Sequence, residues 1–108
     1  MKIYNKNRAF KINDIALKEV AKIELEDNEM ITFIKDNNEY DFVAKDWGYY
    51  ATPSINGRLK NFGYKTALVK NSYGKFYINI VEKEKLEQFY EYIDKEKSEV
   101  IEWLDERN

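Results

Sequence analysis

Apolar and polar positions along this chain change period several times, and each change predicts an element. Residues 1–13 alternate weakly through Ile3, Phe10 and Ile12, which suits an edge strand or a loose arm. Residues 14–25 carry two patterns at once. Asp14 before Ile15-Ala-Leu-Lys-Glu offers a helix cap, whereas Ala21, Ile23 and Leu25 alternate with Lys22, Glu24 and Glu26. A strand over about 19–26 is the better fit, because a hairpin partner follows it.

That partner is Met30-Ile-Thr-Phe-Ile34, β-branched and aromatic, after the turn cluster Glu26-Asp-Asn-Glu29. A second cluster, Asp36-Asn-Asn-Glu39, leads into a third strand over 40–47 with Tyr40, Phe42 and Ala44 on one face. Gly48 interrupts that strand. Thr52-Pro53 then has the form of an N-cap followed by proline at the first helical position, with Ile55, Leu59 and Phe62 on one face and Gly63 as the stop.

A fourth strand, 64–70, and a fifth, 75–82, flank the loop Asn71-Ser-Tyr-Gly74. Phe76, Ile78 and Ile80 on one face with Tyr77 and Val81 on the other predict that the fifth is a central strand covered on both sides. A second helix over 83–97 sets Leu86, Phe89, Tyr90 and Ile93 in one stripe opposite a Glu/Lys face. Val100 to Leu104 closes the chain as a strand, and residues 105–108 fray. The expectation is one α+β domain over 1–108: a mostly antiparallel sheet of five to seven strands with two helices (53–62 and 83–97), in the order β-β-β-α-β-β-α-β.

Composition narrows the chemistry. The chain of 108 residues has no Cys and no His, so thiolate nucleophiles, disulfides, Cys/His metal sites and imidazole bases are excluded. No calcium-type loop is present, and no metal or cofactor is expected. No window reaches the length of a membrane span, and the first residues lack the apolar run of a signal peptide, so a soluble cytoplasmic protein is expected. Aromatic residues make up 16%, nine of them Tyr, which favours half-buried surfaces and interfaces; a symmetric homodimer is one expected outcome.

Charge is unevenly placed. Residues 47–75 hold all four Gly, the single Pro and five basic side chains without one acid, whereas residues 1–46 carry net −2 and residues 76–108 net −5. The acids of the last stretch are those of a solvated helix face. The acid-free stretch is where a ligand would sit. Free amides at a helix start after Pro53, with the hydroxyls of Thr52 and Ser54 and the guanidinium of Arg58, suit an anion. The same residues equally describe a capped short helix whose Arg stem covers apolar surface. Gly57 suggests close approach of some group to the backbone. Trp47-Gly-Tyr-Tyr50 can stack on a planar group or continue the core, with Tyr49 and Tyr50 pointing opposite ways if the strand persists.

The candidate ligand contacts are Tyr49, Tyr50, Thr52, Ser54, Asn56, Arg58 and Lys65. Two functions are compatible with them. One is a small non-enzymatic binding or accessory protein that uses this basic and aromatic patch to contact a protein partner or a small anion. The other is an enzyme acting on a phosphorylated or carboxylated small molecule, such as a sugar phosphate or nucleotide sugar. Nucleic acid is disfavoured by the pI near 5.3 and the acidic C-terminal stretch.

Overall fold

Apart from the short stripe Ile55, Leu59 and Phe62, no helical pattern of apolar residues precedes Leu86, and Asp, Asn or Gly recurs every few residues, so the chain is built mainly of short strands. A computed structural model describes every residue except 5–7 and 13. Among the described residues there are ten strands in four small sheets and two α-helices, a broadly α+β architecture. The expected single sheet of five to seven strands is thus replaced by several short antiparallel sheets. The chain gathers into two compact units, residues 1–32 with 41–51, and residues 33–40 with 52–108.

The first unit starts with β1 (Lys2–Tyr4), β2 (Ala9–Ile12), β3 (Ile15–Lys18) and β4 (Lys22–Glu24). Pairing is antiparallel, β1 with β4 through Ile3↔Ile23 and β2 with β3 through Phe10↔Leu17. Residues 14–25 are therefore strand rather than helix, as two short pieces. Of the edge strand or loose arm expected over 1–13, the strand holds at 2–4 and 9–12, and residues 5–7 and 13 lie outside the described residues.

A three-stranded meander follows: β5 (Met30–Lys35), β6 (Asn38–Lys45) and β7 (Gly48–Thr52), in the order β5-β6-β7. Its third strand is β7, not residues 19–26, because Gly48 begins a strand instead of interrupting one. A tight turn at Asp46–Trp47 precedes it, and Gly48 has φ 141, a region that a side chain would resist. Asn28, Asp36 and Asn37 take positive φ in the two expected turn clusters.

In the second unit, β8 (Tyr64–Lys70) lies between β9 (Phe76–Glu82) and β10 (Glu99–Trp103), all antiparallel. The central strand is β8. The expectation placed β9 there, because its apolar side chains alternate onto both faces, but β9 is an edge and Phe76, Tyr77 and Ile78 are each more than half exposed.

The helix α2 (Leu86–Lys95), entered through a 3-10 turn at Lys83–Lys85, packs on one sheet face. Its stripe is largely the expected one. Ile93 is buried with Ala67 and Val69, while Phe89 packs against them beside Val100 and Trp103. Tyr90 is half exposed and meets Trp103 edge-on at 6.3 Å.

The first helix is much shorter than expected. It runs from Arg58 to Asn61 as α1, and Thr52 belongs to β7, joined to Pro53 by a cis peptide bond. Gly63, at φ 93, closes the turn after α1 as anticipated, and its carbonyl accepts the Lys83 amide at 2.8 Å.

The end of the chain does not fray. Leu104–Glu106 forms a 3-10 turn, and Asp105 is 3% exposed. Its carboxylate accepts the Thr66 amide of β8 at 2.8 Å and the Lys65 ammonium at 3.0 Å. Burial alone would raise the Asp105 carboxyl, but the Thr66 amide and the Lys65 ammonium outweigh it and hold the group below the ordinary carboxylate range.

A carboxyl with a depressed folded-state pKa contributes stability above its unfolded pKa, about 4, and loses that contribution as pH falls through the folded value. Asp105→Asn should therefore lose about 3 kcal/mol at pH 7, since Lys65 loses its buried counter-charge and keeps only the exposed Glu106 carboxylate at 3.5 Å. The gap to wild type should narrow as pH drops below about 4. Urea denaturation at stepped pH reads this directly. A gap that stays constant down to about pH 2 would show that the charge of Asp105 does not matter.

Candidate functional site

The sequence-derived candidates fall in both units, each of which has its own local geometry. In the first unit, the two-residue turn at Asp46–Trp47 lifts an aromatic cluster to the end of the β6–β7 hairpin. Tyr49 is 71% exposed and Trp47 68%, and Tyr50 is nearly half exposed. The expectation divides Tyr49 and Tyr50 between surface and interior, yet both reach solvent.

The rings are ordered by one another. Trp47 lies almost parallel to Tyr50, with 15° between planes and 6.2 Å between centroids, and Tyr49 meets Phe42 edge-on at 6.0 Å. Tyr49 and Gly48 edge a shallow groove of about 340 Å³ that also reaches Leu25, Asp27 and Lys45. The Lys45 ammonium there donates to Asn28 Oδ1 at 2.7 Å.

In the second unit, Ser54 turns back on its own chain. Its carbonyl accepts the amides of Gly57 and Leu59, at 3.3 and 3.1 Å, and its hydroxyl accepts the amide of Arg58 at 3.2 Å. The amides of Gly57, Arg58 and Leu59, at the entry to α1, are therefore already bonded. A Cβ on Gly57 would collide with the Ser54 hydroxyl, so the group approaching that glycine is Ser54 itself.

Thr52 ends β7, Asn56 is exposed, and the Arg58 guanidinium lies 6.0 Å from the centre of the Phe62 ring. Lys65 is mostly buried. Its ammonium bonds Asp105, lies 3.5 Å from Glu106 and sits 4.9 Å over the Trp103 ring. Desolvation lowers its pKa, but hydrogen bonding and charge from Asp105 outweigh that and hold it above the usual lysine value.

Thus Ser54 and Lys65 serve the fold of the second unit, while Tyr49 and Tyr50 stand at a hairpin end in the first. Sequence reasoning left Trp47 out of the set, although it stacks with Tyr50, and missed Asp105 as the partner of Lys65. The first had a signal in the run Trp-Gly-Tyr-Tyr. The second had none, since its pairing spans 40 residues. No group of three or more acidic side chains among the described residues is placed to hold a metal ion, and no described helix is long and apolar enough to cross a membrane. No protein-family model, curated protein or solved structure matches this chain.

The Ser54 geometry makes a prediction through non-additivity. Ser54→Ala should cost about 1 kcal/mol, as loss of a capping oxygen does. Gly57→Ala should cost a similar amount by displacing that oxygen. Once Ser54 is alanine, Gly57→Ala should cost almost nothing, or stabilise, since alanine is the better helix former. Additive losses in thermal unfolding would mean that the hydroxyl does not occupy the space above Gly57.

Proposed function

We propose that this chain is a small non-enzymatic binding protein that contacts a protein partner through the aromatic end of the β6–β7 hairpin. One observation carries this: Trp47 and Tyr49 are both more than two-thirds exposed on a tight hairpin, with Tyr50 stacked on Trp47. Large exposed aromatics contribute more contact energy per ordered side chain than most other residue types. Stacking fixes the Trp47 and Tyr50 rings before contact, so less side-chain entropy is lost on binding.

Several of the charged groups that could serve catalysis are paired within the fold. Lys65 and Asp105 neutralise each other in the fold of the second unit, and Arg8 is held by Glu19 at 3.1 Å in the first. Glu82 lies 3.1 Å from Lys85. The sequence offers no imidazole or thiol in their place.

The test is capture on immobilised protein. Wild type should retain a discrete partner that Trp47→Ala and Tyr49→Ala each lose by at least about tenfold, consistent with a hot-spot side chain worth about 1.4 kcal/mol or more. Thermal midpoints should stay within about 2 °C of wild type, because these side chains are exposed. A partner retained equally by both variants would place the contact elsewhere.

A further inference from the structure

Trp47 opens the acid-free stretch of the sequence, but the fold of the first unit places it among carboxylates. The turn at 26–29 is pinned beside the β6–β7 hairpin. The Asn28 amide donates to the Ala44 carbonyl at 2.8 Å, and the Ala44 amide donates to the Glu29 carbonyl at 2.9 Å. The two turns, 26–29 and 45–48, hold four acids (Glu26, Asp27, Glu29 and Asp46) against the single Lys45. Glu29 is paired with the Met1 amino group at 3.2 Å, and the Lys45 ammonium is taken up by Asn28. Glu26, Asp27 and Asp46 are exposed.

The rings beside these acids carry no cation. Elsewhere the chain sets its own cations over ring faces: Arg8 over Phe10, Lys65 over Trp103 and Lys70 over Phe76, at 4.9 to 5.8 Å. Among the described residues none lies over Trp47, Tyr49 or Tyr50, all of which reach solvent.

We propose that the partner of this hairpin end presents arginine or lysine side chains to it, arginine above all; the proposal rests on the Trp47 contact inferred above. A ring face attracts a cation through its quadrupole, and a carboxylate on the same surface supplies the counter-charge. A guanidinium uses both, stacking flat on a ring while its N–H groups fork to a carboxylate. Asp27 is placed for this, since it lines the same groove of about 340 Å³ as Tyr49. Leu25, Phe42 and Ala44 in that lining offer apolar surface to the methylene stem. An acidic segment or a phosphate backbone would instead meet three carboxylates of its own sign.

Amide NMR titration of the full chain tests this with three peptides of equal length. In them glycine alternates with arginine, with citrulline (the uncharged isostere of arginine) or with glutamate. The arginine peptide should shift the amides of 26–28 and 47–50, bind at least about tenfold tighter than the citrulline peptide, and weaken as salt is added. The glutamate peptide should leave those amides in place. Asp27→Asn should weaken the arginine peptide about threefold and Trp47→Ala about tenfold. Glu87→Gln, on the exposed face of α2, should leave its binding unchanged. Equal binding of the arginine and citrulline peptides overturns the cation proposal while leaving the Trp47 contact standing. Shifts confined to other residues overturn it too, as does a loss on Glu87→Gln as large as that on Asp27→Asn. Failure of the Trp47 contact itself shows separately, as a captured partner that Trp47→Ala retains.

Discussion

A buried carboxylate cannot be left without partners, and in the second unit that constraint falls on Asp105. It sits near the end of the sequence yet is almost wholly enclosed, and it takes its hydrogen bonds from the centre of the sheet, through the Thr66 amide and the Lys65 ammonium of β8. The Lys60 ammonium adds a contact to the Asp105 carbonyl at 3.4 Å. The final 3-10 turn is thereby fastened to the middle strand. β10 leads directly into that turn, so Trp103 is held against Phe89 and over Ala67 and Val69, where the apolar core forms. The helix α2 closes the core because its one apolar stripe meets side chains already fixed by β8 and β10.

The same pair changes the meaning of the charge asymmetry along the sequence. An acid-free stretch beside an acidic one suggests a surface seeking anions, but part of that asymmetry is internal complementarity. Lys65 finds its counter-charge in Asp105, and Ser54 commits its hydroxyl to the Arg58 amide. Two of the exposed surfaces are apolar and aromatic: the Trp47 hairpin in one unit and the edge strand β9 in the other.

The short-range features were legible in the sequence and the long-range ones were not. Turns at Asn28 and Asp36–Asn37 follow from residues that tolerate positive φ, and α2 follows from a stripe at helical spacing. The Thr52-Pro53 pair has the local chemistry of a helix start, yet Pro53 is buried after a strand, and the helix waits until Arg58. Alternating apolar residues in β9 describe a strand without saying whether a neighbour covers each side. The number of sheets depends on which strands pair, and β1 finds β4 across some 20 residues with no local mark. Of the candidate site, the aromatic run was visible as a run; its exposure depended on Gly48 beginning a strand.

The role of Lys65 as a structural partner rather than a ligand contact is tested most directly by a double-mutant cycle between Lys65→Met and Asp105→Asn. Asp105→Asn leaves the Lys65 ammonium only the exposed Glu106 carboxylate at 3.5 Å, and Lys65→Met leaves Asp105 a buried charge without a counterpart. The double variant removes both charges, and the side-chain carbonyl that Asp105→Asn retains can still accept the Thr66 amide. The stability measured by urea denaturation should then be no lower in the double variant than in either single one, giving a coupling of at least about 1.5 kcal/mol. Losses that simply add would mean that Lys65 and Asp105 act independently, and that the second unit is held together in some other way.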